Sequence, residues 1–266
     1  NTAQRADLIT RLILEKGYNS NYAASWFLVR GGVKFEPGVT PLQSKVETGS
    51  YSFKGIRMTL GPITRKMTDN SRVPTSIIPF LGDSAPGDPS EAILSLDLKR
   101  ATATKHATIV EDDGATVVYA EAGQALSESF CDGPAQYDAT AQKLVLMPKT
   151  GVPLEDQLNC EVAISGCGAP NSGTNYWMQD QRDFYAVHGS GNQLACNLLM
   201  ADGSVKEIAD LNGDRYLNPG FPVTGATPTE VAGLGYADDT VDLPPQECFS
   251  GLFINPDMFK QADFEQ

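Results

Sequence analysis

The sequence lacks the features that would mark a membrane protein, a zinc protein or a serine hydrolase. It has no run of eighteen or more apolar residues, so none of its segments can cross a bilayer as a helix. It has no Cys-x-x-Cys pair, which argues against a structural zinc site. It also has no Gly-x-Ser-x-Gly motif, and Gly189-Ser190-Gly191 lacks the spacing of a nucleophile elbow.

Basic residues and histidines are scarce. The chain has 20 Lys and Arg against 33 Asp and Glu, a net charge of −13. Proteins that bind nucleic acid neutralise phosphates with Lys and Arg, so this balance argues against such a partner. His106 has no partner at catalytic spacing. We interpret His188, which precedes a Gly-rich stretch, as a structural hydrogen-bonding residue and not as a catalyst.

The composition predicts an irregular globular fold. Of 266 residues, 41% are hydrophobic, which is enough for a sizeable core. The 25 glycines and 17 prolines indicate many turns between short strands. The chain begins with Asn1 and not with Met, so we expect that a leader was removed or that the sequence was trimmed.

Five cysteines leave at least one thiol unpaired within the chain. Cys160 and Cys167 flank a short loop and are the favoured disulfide. A second pair, Cys131 with Cys196 or Cys248, is a candidate. Buried free thiols are the alternative for all five residues.

The clearest local structure lies between residues 194 and 209. Leu194 to Met200 is mostly apolar, Asp202-Gly203 is a tight-turn signal, and Ser204 to Ala209 mixes apolar with polar residues. This pattern predicts a β-hairpin with a two-residue turn.

Several segments together resemble a large planctomycete family of pilin-like proteins with a C-terminal His…Asp-Gly signature. Here the signature residues are His188, Asn197, Asp202 and Gly203. Further matching segments are Ile77-Ile-Pro-Phe-Leu-Gly-Asp83-Ser-Ala-Pro-Gly-Asp88, Met178-Gln-Asp-Gln-Arg182-Asp183-Phe, Asp210-Leu-Asn-Gly-Asp-Arg-Tyr-Leu-Asn-Pro-Gly-Phe-Pro and Tyr236-Ala-Asp-Asp-Thr-Val-Asp-Leu-Pro-Pro-Gln-Glu247-Cys-Phe-Ser-Gly.

The chain departs from that family in two ways. Thirteen residues separate His188 from Asp202, more than in the family's usual signature, which indicates an insertion. The family's prepilin motif and long hydrophobic helix are not found in this sequence. The resemblance implies an extracellular or cell-surface structural protein that self-assembles into a filament.

The segment from Asp210 to Asn218 has the spacing of a calcium loop. Asp210, Asn212 and Asp214 alternate, and such side-chain oxygens can converge on one cation. The carbonyl of Tyr216 and the side chain of Asn218 are further candidate ligands. The segment is not an EF-hand, because Phe221 occupies the closing position. The alternative is an Asx-rich turn whose side chains bind local backbone amides. Asp83 and Asp88 are weaker candidate ligands and are more typical of turns and caps.

Other segments give a coarse secondary structure. Residues 2–16 predict an amphipathic helix, and residues 88–96 predict a short helix that begins with an Asp cap. Strands are predicted at residues 26–29, 50–60, 76–81, 144–147, 158–164, 240–243 and 246–254, with two more between residues 107 and 120.

Two other functions stay open. Tyr176 and Trp177, if exposed, can stack on a sugar ring, which would make the protein a secreted carbohydrate-binding module or adhesin. A secreted hydrolase would use two of the many carboxylates, but no spacing identifies the pair.

We therefore predict one α+β domain over residues 1–266. It would comprise an N-terminal helix within residues 1–17 packed on an antiparallel sheet, and a β-rich head over 18–266 with long loops. We expect a structural, non-enzymatic protein that partners with itself, with surface glycans as a second class of partner and Ca²⁺ as a candidate cofactor.

Overall fold

The protein has an α+β fold, as predicted. The computed structural model describes residues 3–12, 21–46, 52–55, 57–87, 92–100, 111–112, 116–163, 165–173, 176–190, 193–225 and 227–255. The helices are α1 (Ala3–Leu12), α2 (Trp26–Arg30), α3 (Arg65–Asp69), α4 (Glu155–Val162) and α5 (Pro228–Leu234). The strands are β1 (Tyr22–Ala24), β2 (Pro79–Asp83), β3 (Leu98–Arg100), β4 (Glu111–Asp112), β5 (Val117–Ala120), β6 (Gly133–Asp138), β7 (Lys143–Leu146), β8 (Met178–Asp180), β9 (His188–Ser190), β10 (Gln193–Met200) and β11 (Val205–Ala209).

These elements belong to two compact units. The smaller unit comprises Asn1–Tyr22 and Pro86–Glu128, and the larger comprises Ala23–Ala85 and Ser129–Gln266. Compact units of this size can belong to one domain, so a single domain over residues 1–266 stays a prediction.

The smaller unit contains the predicted N-terminal helix. Helix α1 packs on β3, which forms an antiparallel sheet in the order β3-β5-β4. Ile9 packs against a core that includes Leu98 and Tyr119, whereas Leu8 and Leu12 are nearly half exposed. Within the smaller unit, the helix therefore packs on an antiparallel sheet.

The larger unit contains the predicted hairpin. One sheet has the order β1-β2-β10-β11, with β9 also paired to β10, and a second has the order β7-β6-β8. Strand β10 pairs antiparallel with β11, from Ala195 opposite Ala209 to Leu199 opposite Val205. Its buried side chains, including Leu198 and Met200, join the main core around Trp26 and Phe27.

Two predicted strands are helices, because capping and periodicity favour the helix. Ser25 precedes α2, its hydroxyl accepts the N–H of Leu28 at 3.2 Å, and Gly31 ends the helix at φ 64°. The predicted strand at 158–164 overlaps α4. That helix has acidic residues in its first turn and buries Leu154 and Leu158 at helical spacing.

The remaining strand predictions have mixed outcomes. The strand at 144–147 is confirmed by β7, and β4 and β5 lie in the region from 107 to 120. The strand at 76–81 is shifted to β2, behind a 3₁₀ turn at Thr75–Ile77. Within 50–60, the described residues form a 3₁₀ turn and one isolated bridge, from Thr59 to Val33. The predicted helix cap at 88–91 lies outside the described residues, and residues 92–96 are not helical.

The predicted C-terminal strands are wrong. Residues 240–243 and 246–254 run as irregular chain. Their backbone N–H groups donate to carbonyls in separate parts of the chain and do not form the regular hydrogen bonds of paired strands. For example, Asp242 donates to the carbonyl of Asn218 at 3.0 Å and Phe249 to that of Ile77 at 2.7 Å. In the part of the chain that the structure describes, no helix is both long and apolar enough to span a membrane.

Candidate functional site

The signature residues Asp202 and Gly203 form the hairpin turn. Met200 donates its N–H to the carbonyl of Ser204 at 2.8 Å, so the loop has three residues, 201–203, and not two. Gly203 has φ 87°, a conformation that suits glycine. The Asp202 carboxylate accepts the Ser204 hydroxyl at 2.6 Å and its N–H at 2.9 Å, and these bonds lower the pKa of Asp202. Both residues therefore have a local structural role.

The other two signature residues meet at Asp83. The Nε2 of His188 lies 3.1 Å from one Asp83 oxygen, and the N–H of Asn197 donates to the other at 2.7 Å. Asp83 is buried on β2, whereas about half of the His188 side chain is exposed. Asp83 thus connects β2, β9 and β10, and His188 has the hydrogen-bonding position that we expected for it.

We expect Asp83→Ala to cost more stability than His188→Ala. The first change leaves the Asn197 N–H without its acceptor and should lower the free energy of unfolding by about 2 kcal/mol. The second leaves that bond in place and removes a half-exposed ring, so it should cost less than about 1 kcal/mol. Urea unfolding of both variants at one pH measures the difference. A larger loss for His188→Ala would contradict this assignment.

The predicted calcium loop is held by side-chain bonds to the backbone. Asp210 accepts the N–H of Gly213 at 2.7 Å and that of Arg215 at 2.9 Å. Asp214 accepts the N–H of Tyr216 at 2.7 Å and, from a distant loop, that of Ala237 at 2.7 Å. Such contacts are those of Asx turns, the alternative that the sequence left open.

Asn212 and Asn218 are also engaged. Asn212 donates its amide to Asp214 at 3.1 Å and to Asp238 at 2.9 Å. The Asn218 amide oxygen accepts two backbone N–H groups, and its nitrogen donates to the carbonyls of Phe221 and Asp238. Asn218 therefore has no capacity left for a metal. Across the described ranges, no group of three or more His, Cys, Asp or Glu side chains is arranged to hold a metal ion.

Two residues of this network were missed by the sequence analysis. Asp242 accepts the N–H of Leu211 at 2.9 Å and that of Asn218 at 3.0 Å, and Asp238 binds Asn212. Burial raises the pKa of Asp242 to about 6, and repulsion from Asp214 and Asp210 adds to the effect. Burial also raises the pKa of Asp214. Asp242 lies 31 residues from Leu211 and 24 residues from Asn218 in the sequence, so no local pattern indicates these contacts.

An ion pair with a buried acid and a partly exposed arginine lies at the end of β8. Arg182 binds Asp180 through two bonds, Nε to Oδ1 at 2.9 Å and Nη2 to Oδ2 at 2.7 Å. Arg182 also donates to the carbonyl of Leu234 at 3.3 Å, at the end of α5. The Thr227-Pro228-Thr-Glu230 capping box was the available signal for that helix.

The proposed sugar-stacking residue is buried. Trp177 is only 9% exposed and belongs to the main core, so the expected exposed ring is not found. The backbone N–H of Trp177 donates to the side-chain oxygen of Gln157 at 2.8 Å, and the backbone carbonyl of Tyr176 accepts the side-chain amide of Gln136 at 2.6 Å. The side chains of Gln136 and Gln157 thus hold the backbone of Tyr176 and Trp177 in place, and Trp177 offers no face to a glycan.

The structure contains the favoured disulfide but not the second one. Cys160 and Cys167 are bonded, with their Cα atoms 4.8 Å apart. Cys131, Cys196 and Cys248 are free and buried. Burial raises the pKa of the Cys196 and Cys248 thiols to about 12, so neither is a thiolate at neutral pH. His106 and Asp88 lie outside the described residues.

Comparison with family models, curated proteins and solved structures gave no match to this chain. The likeness to pilin-like proteins therefore stays a prediction.

Proposed function

We propose that the protein is an extracellular structural protein, a subunit of a pilus-like filament or another surface assembly built from copies of itself. The observation that carries this proposal is the use of the candidate carboxylates. Asp83, Asp210, Asp214 and Asp242 each accept backbone N–H groups: Asp83 joins β2 to β10, Asp210 fixes its own loop, and Asp214 and Asp242 join segments that are distant in the sequence. Such a network suits a protein that must keep a fixed surface.

Two further observations support the proposal. Disulfides such as Cys160–Cys167 persist in oxidising compartments, which include the cell exterior. In the described part of the chain, β11 pairs only with β10, so its second edge is open. Val205 and Leu211, at either end of that edge strand, are 65% and 62% exposed. An open edge with apolar neighbours suits strand pairing between copies.

The direct test is negative-stain electron microscopy of native material and of the purified chain. Regular filaments, sheets or tubes are the expected result. Dispersed particles from both sources, under conditions where the chain is folded, would contradict the proposal. In that case glycan-array binding and polysaccharide hydrolysis assays would take precedence.

Calcium binding at the 210–218 loop remains a second proposal. The repulsion among Asp210, Asp214 and Asp242 favours it, because a cation would relieve that repulsion. We expect wild type to have a higher thermal midpoint in calcium than in chelator, and Asp210→Ala to abolish the difference. Asp138→Ala, which removes a similar Asx turn elsewhere, is the matched control. If Asp210→Ala lowers the thermal midpoint equally in calcium and in chelator, Asp210 stabilises only the turn and does not bind calcium.

A further inference from the structure

The outer edge of β11 carries backbone groups that no other strand binds in the described part of the chain. The carbonyl of Ser204 and the N–H of Asp210 both bond to β10. This orientation alternates along an antiparallel pair, so the residues whose N–H and C=O groups point away from β10 are Val205, Glu207 and Ala209. Because β11 is the last strand of its sheet, these groups form an open row of donors and acceptors.

This edge lacks the usual protection against pairing with another chain, which is a lysine, a proline or a β-bulge. The strand has no proline, and its pairing with β10 has no register shift. Lys206 lies opposite the buried Leu198 and donates its ammonium group to the carbonyl of Glu247 at 2.7 Å, so its side chain is directed to the core face. Beyond the strand, Asp242 accepts the N–H of Leu211 at 2.9 Å and closes the edge. The open stretch is therefore β11 itself.

Apolar side chains lie on the solvent face beside this edge. Leu199 lies opposite Leu81 of β2 and opposite Val205 of β11, so the three side chains share one face. The other face is the core face, because Leu198 and Met200 are buried there. Val205 is 65% exposed at the open end of this row. A strand added at the edge covers Val205, so apolar burial favours the addition.

We propose that β11 pairs with β11 of a second copy, antiparallel and in full register, about a two-fold axis at Glu207. The choice of a second copy rests on the proposed function, in which copies of this chain contact one another. In this register Val205 lies opposite Ala209 of the other copy, and Glu207 lies opposite Glu207. Every outward N–H and C=O group of the strand then has a partner. The same patch serves both copies, which is the arrangement of a symmetric dimer.

The register is set by hydrogen bonds that exceed one repulsion. Glu207 is exposed and faces its own copy, and like charges directly opposite each other weaken a strand pair by up to about fivefold. A shift by two residues in either direction separates the glutamates but leaves one outward residue of each strand unpaired, which loses two hydrogen bonds. Two such bonds strengthen the pair about tenfold or more, so the full register is favoured. Glu207 therefore weakens the contact without preventing it.

Two substitutions of Glu207 are expected to act in opposite directions. Glu207→Gln removes the repulsion and should tighten the dimer about fivefold. Glu207→Pro removes the central N–H of each copy and should weaken the dimer about tenfold or more, whereas β10 keeps its bonds because that N–H points away from it. Glu155→Gln, an exposed change of equal charge on α4, should leave the dissociation constant unchanged. Analytical ultracentrifugation of each purified chain, up to about 1 mM, measures this constant.

Cysteine cross-linking tests the register without the proline variant. Residues directly opposite each other in paired strands have Cβ atoms about 5 Å apart, so a short thiol-specific reagent should link Glu207→Cys to its own copy. Val205→Cys should not link to itself, because the two copies of that residue lie about 13 Å apart along the strands. The native free cysteines are buried and do not compete. An equal yield of linked dimer from Val205→Cys would overturn the register.

The outcomes separate this contact from the proposed function. Wild type and Glu207→Gln that both stay monomeric would overturn the β11 contact, and so would a dimer that Glu207→Pro does not weaken. Filaments that persist unchanged in Glu207→Pro would refute the contact and leave the proposed assembly intact. Dimers without filaments in native material would support the contact and contradict the filament, because a two-fold contact closes on itself.

Discussion

Replacement of Arg182 by methionine is expected to lower the free energy of unfolding by about 3–5 kcal/mol. Methionine keeps much of the apolar stem of arginine, so the loss isolates the charge. Asp180 is 1% exposed and would be left as an uncompensated buried anion. Burial by itself lowers the pKa of Arg182, but attraction and hydrogen bonds to Asp180, with smaller contributions from Tyr236 and Asp183, together raise it overall. Urea unfolding at pH 7 gives the free energy.

Two controls make this measurement specific. Arg65→Met removes an exposed arginine that pairs with Asp69 one turn away on α3, and it should cost less than about 0.5 kcal/mol. The double variant Asp180→Asn with Arg182→Met removes both charges and should recover at least about 1 kcal/mol relative to Arg182→Met alone. Equal losses for Arg182→Met and Arg65→Met would show that the buried pair is not what holds this region.

Local sequence predicted the elements whose causes are local. The Asp202-Gly203 turn, with a mostly apolar segment before it and a mixed segment after it, predicted the β10–β11 hairpin. The strand at 158–164 was wrong because a short apolar run fits a buried helix equally well, and the acidic first turn of α4 was not weighed. Residues 246–254 resembled a strand because they also contain a short apolar run. Their amides are bound by acceptors far along the chain, so the run of Phe249, Leu252 and Phe253 does not form a ladder.

The site could be predicted only in part, because its contacts are long-range. His188 was assigned a structural hydrogen bond from its sequence context, but its partner Asp83 lies 105 residues away. The bonds from Leu252 and Phe253 to Glu161 span 91 and 92 residues. The sequence indicates Asp210, Asn212 and Asp214 as candidate ligands because they occupy alternate positions in one short segment. Asp238 and Asp242, which complete the same network, lie more than twenty residues from the loop and have no regular spacing with Asp210 that would mark them as its partners.

Gly189→Ala is expected to cost about 3 kcal/mol, the second large effect. Gly189 lies in β9, directly after His188, and has φ 98°, where an L side chain is strained. A Cβ at this position would also overlap the carbonyl oxygen of Gln193 and lie 3.2 Å from Cα of Leu194. These are backbone atoms of the paired strand β10, so they cannot move aside as a flexible side chain would. Strain and overlap together should separate β9 from β10.

Gly203→Ala separates the two contributions to this loss. Gly203 has a similar φ of 87°, but a Cβ there would meet nothing within 4 Å, so the variant carries strain without overlap. It should cost about 1 kcal/mol. The excess for Gly189→Ala in urea unfolding is then the cost of forcing β9 away from β10. Amide exchange should place the damage at Ala195, opposite His188, and leave Leu199, near the hairpin turn, unchanged. Equal losses for the two alanines would mean that only conformational strain matters. The contact between His188 and Asp83 would then not depend on this close strand approach.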